Sequence, residues 1–319
     1  MRFDEKKEPS YLGWLFFISI AFHILASLAV SVMSQKGIEL PVEASLILSE
    51  LTILVPTLIY ILAGNLGFKT ELGFRAIKPA SFFMSLLLTA VVTPIATLFN
   101  IISQFFVSNT MVEMSDTLVS GSGIAVLLLG SVYGPLCEEL TFRSVFAGRY
   151  ERYAGPMGAA LISAALFALA HMNVNQAMYA FVLGWIFAVV NKAARSVYPS
   201  MIMHICINFG NLAMLLAASK AADAIGAASL AESAESVRNS NVLYVMASVF
   251  LILAVICAAI AIPCIVFIAK HEGGLDGLLD MFRAKHEQKR WLRVPTMLGI
   301  VLVLVIMFGL GSFLKVAGQ

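Results

Sequence analysis

The sequence predicts an all-α fold: a polytopic transmembrane helical bundle of about eight core helices, with one extra helix at the C-terminus. Composition, hydropathy and the spacing of apolar runs lead to this. Of the 319 residues, 60% are apolar and 13% are charged, the latter about half the share found in ordinary soluble domains. The mean hydropathy is +0.90. These values exclude a disordered chain, which needs low hydrophobicity, and a cytosolic enzyme. A net charge of +2 supplies no basic surface for nucleic acid, so no nucleic-acid partner is expected.

Nine apolar runs follow one another, at about 11–33, 42–63, 80–107, 123–147, 157–171, 176–191, 198–219, 242–269 and 294–315. A span needs roughly 20 such residues to cross about 30 Å of hydrocarbon. The first run is too long, and its flank MRFDEKKEPS too acidic, for a cleaved signal peptide. The fifth and sixth runs are short and joined by the uncharged polar residues 172–175. Such a turn is tolerated partway through a membrane only where protein or water covers it. The eighth run is long and uncharged, and the ninth is the extra C-terminal helix. No inverted repeat of the transporter kind is visible. The whole chain, 1–319, is read as one integral-membrane domain.

With the N-terminus placed in the cytoplasm, the inside segments hold sixteen Lys and Arg. The outside ones hold four (Lys36, Lys220, Arg238 and Lys315), and Arg143 lies within a span. That asymmetry predicts an N-in orientation. Residues 220–241 are rich in Ala, Ser and Glu. Residues 270–293 form a basic cytoplasmic loop. Within it, LDGLLDMFRAKHEQKRWLR is either a plain loop or an amphipathic helix on the anionic inner leaflet. Cys137, Cys206, Cys257 and Cys264 sit in apolar runs without a CxxC pair, so they are expected to be buried small side chains.

The informative residues are the polar ones inside spans, where an ionised group costs about 2.5–3.5 kcal/mol on insertion scales. SVYGPLCEELTFRSVF holds Glu138, Glu139 and Arg143; FALAH ends in His171; YPSMIMHICIN holds His204 and Asn208. Glu139 and Arg143 lie four residues apart and share a helix face, as do His204 and Asn208. Glu138 is turned about 140° from Arg143 and stays unpaired. Pro135 removes a backbone hydrogen bond before the carboxylates and is expected to kink or loosen the helix. By rise per residue, Glu138 lies roughly 15 Å, His204 roughly 9 Å and His171 roughly 20 Å from the cytoplasmic ends of their helices. One polar cavity open to the cytoplasm accommodates all three.

Glu138-Glu139-x-x-x-Arg143, Phe167-x-x-x-His171 and His204-x-x-x-Asn208 resemble the three signature motifs of the CPBP intramembrane protease family, which includes CAAX prenyl proteases and bacteriocin-processing or immunity proteins. The Phe142-Arg143 pair and the Tyr198-Pro199-Ser200 lead-in are similar as well. The resemblance covers about residues 123–219, which would be the catalytic core. Ser144 departs from the Gly common after the Arg, and the chain has one span more than the eight of the core fold.

The resemblance implies a membrane peptide hydrolase. Glu138 would be the base that activates water, helped by His171. His204 and Asn208 would stabilise the oxyanion, and Glu139 with Arg143 would be a structural pair. Glu138, His171 and His204 suit either a two-His, one-carboxylate Zn2+ site or metal-free activation of water. With no HExxH to supply a separate base, the reading leans to a metal-free or weakly metal-bound site. The substrate would be a membrane-embedded or lipidated peptide, and the setting a bacterial plasma membrane. Nothing in the sequence marks a prenylated CaaX end as the substrate.

Two other classes compete. A proton-coupled transporter also uses Glu and His in spans, but here the polar groups concentrate in three helices. A non-catalytic immunity or scaffold protein of the same fold would have no need of intact motifs. A buried polar network that only fixes helix packing is the plain alternative for Glu138, His171, His204 and Asn208. His23 is read as an interhelical contact and Glu50, Asn100 and Gln104 as interhelical or water contacts; Asn173, Asn175 and Gln176 could bind a substrate backbone but are read as satisfying their turn, and His271 and His286 as solvated.

Overall fold

A computed structural model describes residues 3–226, 229–283 and 292–310. It is all-helical, with no strand among the described residues. The helices are α1 (Glu8–Gln35), α2 (Val42–Gly64), α3 (Pro79–Gln104), α4 (Thr110–Glu113), α5 (Ser115–Ser120), α6 (Gly123–Ala170), α7 (Val174–Ala194), α8 (Tyr198–Ala224), α9 (Leu230–Arg238), α10 (Val242–Glu272), α11 (Leu275–Arg283) and α12 (Val294–Leu304). Seven of them (α1, α2, α3, α6, α7, α8 and α10) are long and apolar enough to cross a membrane. Their outward faces carry exposed Leu25, Leu28, Leu62, Ile252, Val255 and Ile262. In water such a surface would drive association; here it is the face turned to lipid. The protein is an integral membrane protein.

All nine apolar runs contain helix among the described residues, and residues 311–315 of the ninth lie outside them. Runs four and five are successive parts of α6, which is one helical rod broken at Gly155 (φ 70, ψ 171) before Pro156. Only Gly takes that backbone conformation without a Cβ penalty. The break therefore lies at a Gly-Pro pair, not at Pro135. Pro135 sits in the first turn of the short α segment Gly134–Glu138, between two π-helical segments, Leu129–Tyr133 and Glu139–Ala147. The wider π turns shift the hydrogen-bond register past the missing proline N–H, so the rod continues. Proline also starts α3, α8 and α12, within their first turns, where its missing N–H has no partner to lose.

Two apolar cores flank the middle of α6. One joins Leu12, Phe16 and Ile20 of α1 and Tyr60 of α2 to Phe142, Phe146, Tyr150 and Phe167 of α6. The other joins Leu88 and Val92 of α3, Phe187 and Val190 of α7, Met203 of α8 and Ile268 of α10. In α3, Ser85, Thr89, Thr93 and Thr97 each donate to the carbonyl four residues earlier, at 2.8–3.0 Å. This ladder satisfies a stripe of hydroxyls within the helix itself, so small polar residues enter the bundle at no hydrogen-bond cost.

The basic loop expected at 270–293 is partly helical. Lys270 and His271 belong to the last turn of α10, and α11 follows after Gly273. Leu278 and Met281 of α11 are buried against the bundle, while Leu279 and Phe282 are exposed. His271 stacks on Phe267 at 5.4 Å. His286 and Lys315 lie outside the described residues. Cys137 and Cys264 are buried, Cys206 and Cys257 half-buried, and all four are free.

Candidate active site

The site gathers where the two cores meet, around the second π segment of α6. Glu138 ends the α turn Gly134–Glu138, and Glu139 begins the π segment. Side-chain to backbone bonds fix that segment from two sides. Thr57 of α2 meets Thr141 at 2.9 Å, and Thr141 donates to the Cys137 carbonyl at 2.9 Å. Ser163 donates to the Phe142 carbonyl at 2.6 Å. Both carboxylates are thereby held by a rigid backbone.

Arg143 Nε lies 3.4 Å from Glu139 Oε2, and both side chains are fully buried. The pair expected from the i, i+4 spacing is therefore present. It is also incomplete by itself: no nitrogen of the Arg143 guanidinium has a hydrogen-bond acceptor. The guanidinium instead lies 4.0 Å over the Phe167 ring and 5.4 Å from that of Phe187. Cation–π attraction to two desolvated rings supports the charge.

His204 of α8 connects the two glutamates. Its Nδ1 is 3.0 Å from Glu139 Oε1 and its Nε2 is 3.4 Å from Glu138 Oε2. The ring packs 5.8 Å from Phe167 and 5.4 Å from Phe187. Spacing along one helix assigned Glu139 to Arg143 alone; in three dimensions it bridges Arg143 and His204. Ser200, a turn earlier, pairs with Asn191 of α7 through two hydrogen bonds of 2.7 and 3.1 Å. This sets the start of α8, and with it the height of His204.

His171 ends α6. Its Nδ1 pairs with the Phe167 carbonyl at 2.9 Å, which leaves Nε2 for another partner. Its ring stands edge-on to Phe167 at 4.8 Å. His171 and His204 therefore both flank the Phe167 ring. The next residue, Met172, has φ 52, a left-handed conformation that costs a non-Gly residue free energy and that tertiary contacts must hold. Those contacts come from a polar network. Asn173 caps α7 by accepting from the Gln176 N–H at 2.8 Å, and it donates to the His171 carbonyl at 2.9 Å. Asn175 donates to Asn100 and Ser103 of α3, both at 2.7 Å. Thr110 of α4 donates to Asn175 and Asn173 at 3.1 and 3.2 Å. The polar turn 172–175 is covered by protein, as a turn at depth requires.

Asn208 lies one turn beyond His204 and donates to the Gly130 carbonyl at 3.2 Å. Gly130 is in the first π segment, so both π segments serve motif residues. Arg143, Glu139, His204 and Glu138 are thus linked in one chain of contacts, while His171 meets the same Phe167 ring as His204. No group of three or more His, Cys, Asp or Glu side chains is gathered for a metal ion among the described residues.

Glu50 is read from the sequence as an interhelical or water contact. In the structure its Oε2 is buried without a hydrogen-bond partner. Its Oε1 lies 3.4 Å from the position a Cβ on Gly134 would occupy. The signal was visible as a carboxylate in the second apolar run, but nothing in the sequence connects that run to the fourth. His23 does pair with Thr52, at 3.0 Å, in an interhelical contact.

Residues 120–210 match the family described as type II CAAX prenyl endopeptidase Rce1-like. The match spans all three motifs and both π segments. No curated protein and no solved structure matched the chain in the corresponding comparisons.

Proposed function

We propose that this chain, whose matched segment supports a CAAX-type intramembrane peptide hydrolase, is an endopeptidase that cleaves a membrane-embedded or lipidated peptide with water activated at Glu138. The observation that carries the reading is the clamp on His204, held at Nδ1 by Glu139 and facing Glu138 with Nε2. A buried carboxylate and a fixed imidazole at one point are what water activation within a bilayer needs.

In this mechanism Glu138 takes a proton as the water oxygen forms a bond to the scissile carbonyl carbon. His171, through its free Nε2, orients that water. The oxyanion is met by the His204 ring at Nε2 and by the second amide hydrogen of Asn208. Collapse breaks the C–N bond, and Glu138 gives its proton to the leaving nitrogen. Glu139 and Arg143 hold His204 and the π segment and take no part in proton transfer. Residues 123–219 form the catalytic core, in a bacterial plasma membrane with the N-terminus inside.

The test compares peptide termini in membranes carrying the wild type or Glu138→Gln at equal expression. Termini found only with the wild type are expected, and they identify the substrate. Identical termini in a host where the gene has a phenotype would overturn the reading.

A further inference from the structure

Gly184 is buried in the middle of α7, outside the three motifs, and its backbone does not require glycine. The residue is not left-handed, and inside a helix Ala is the better residue. What Gly184 supplies is space. A Cβ there would stand 3.1 Å from the Ala164 Cα, 3.2 Å from Arg143 Nη2 and 3.2 Å from Phe167 Cδ1, all inside ordinary van der Waals contact. The α7 backbone is thus a wall against which the guanidinium and the ring rest together. Little else fixes the plane of the guanidinium, because none of its nitrogens has a hydrogen-bond acceptor. It is held by Glu139 at Nε, by the face of Phe167 at 4.0 Å and by Phe187, one turn along α7 from Gly184, at 5.4 Å. The Phe167 ring in turn flanks both imidazoles, His171 at 4.8 Å and His204 at 5.8 Å.

We propose that Gly184 is a positioning residue: the side chain it lacks lets α7 close on Arg143 and Phe167, and through them it keeps Glu139 on His204. A methyl at this position cannot be absorbed by Ala164, whose Cα belongs to the backbone of α6, so the guanidinium and the ring must give. Moving Arg143 loosens its hold on Glu139 Oε2 at 3.4 Å, and the other oxygen of that carboxylate is what holds His204 Nδ1 at 3.0 Å. Moving the ring shifts the wall that His171 and His204 share. None of the three neighbours of the missing Cβ is a group that would meet the substrate, so Gly184 acts at second hand. The catalytic consequence rests on the hydrolase reading; the packing chain from Gly184 to His204 does not.

Measurements on the full-length protein separate the two. Thermal unfolding in detergent follows Gly184→Ala in the wild type and in Arg143→Lys. Helix propensity alone would raise the midpoint; crowding is expected to lower it instead, by about 5 °C. An ammonium carries no Nη2, so in the Arg143→Lys background the loss is expected to shrink to about half or less. Folding of Gly184→Ala only in that background would support the same conclusion. A midpoint that does not fall, an equal loss in both backgrounds, or failure to fold in both would mean that Gly184 merely spaces α6 from α7, and the proposal fails. NMR of the Arg143 guanidinium N–H groups reads the stack directly. Their ring-shifted signals are expected to move toward those of exposed arginines in Gly184→Ala, and unmoved signals would overturn the proposal. An internally quenched lipidated peptide in vesicles reads the consequence. Gly184→Ala is expected to lower kcat about tenfold with KM unchanged. A raised KM at wild-type kcat would remove Gly184 from positioning. No cleavage by the wild type, with unfolding and NMR behaving as expected, would overturn the hydrolase reading and leave the packing chain standing.

Discussion

At the scale of single residues, the proposed mechanism separates groups that would touch the reaction from groups that hold them. In the proposed mechanism, replacing Glu138 by Gln removes the base and is expected to lower kcat by about 10²–10⁴, with the protein folded as before; a peptide-cleavage assay reads it. Arg143 behaves differently. It is the cation beside a fully buried Glu139, so Arg143→Ala leaves an uncompensated charge in the interior. A loss of about 3–5 kcal/mol of stability is expected, seen as a drop in thermal midpoint in detergent. Arg143→Lys keeps the charge but loses the planar group stacked over Phe167, and it should rescue only in part. The proposed mechanism activates water at Glu138 without a metal, so cleavage is expected to continue in 1,10-phenanthroline. Inhibition reversed by added Zn2+ would contradict this.

At the scale of elements, the motif spacing was readable because a helix fixes which residues share a face. That sufficed for Glu139 with Arg143 and for placing His204 and Asn208 on one side of α8. It failed where the helix is not α. Nothing in SVYGPLCEELTFRSVF shows that two π segments bracket Glu138, because register shifts depend on packing against α2 and α8. Contacts between runs were illegible for the same reason. Glu50 and Gly134 lie far apart in sequence, and no spacing rule relates them. The Gly155-Pro156 dipeptide is a local breaker signal in the sequence. Its conformation is one that only Gly adopts freely. Gly155→Ala should therefore cost about 1–3 kcal/mol, measurable by thermal unfolding. Gly158→Ala, in regular helix, tests crowding by the Ala154 methyl alone.

At the scale of the whole molecule, composition and run length gave the all-helical membrane fold, since hydrocarbon leaves a chain few other choices. Charge counting was less complete. Arg149, taken as an inside loop charge, is buried and paired with Glu8 at 2.5 Å. Glu8 accepts from Tyr60 at 3.0 Å and from Tyr153 at 2.8 Å as well. This knot joins α1, α2 and α6. Glu8→Ala or Arg149→Ala alone should cost about 3–5 kcal/mol, and the double variant less than the sum, in a double-mutant cycle on thermal stability. The same knot imposes an order on biogenesis. Glu8 leaves the ribosome 141 residues before Arg149, an interval of about 7 to 28 s at ordinary rates of synthesis. Until then the first span has no cation to anchor it. It stays free to tilt or slide in the translocon's vicinity, and its partner α12, which packs along it, is made later still. The first helix inserted is thus among the last to be locked in place.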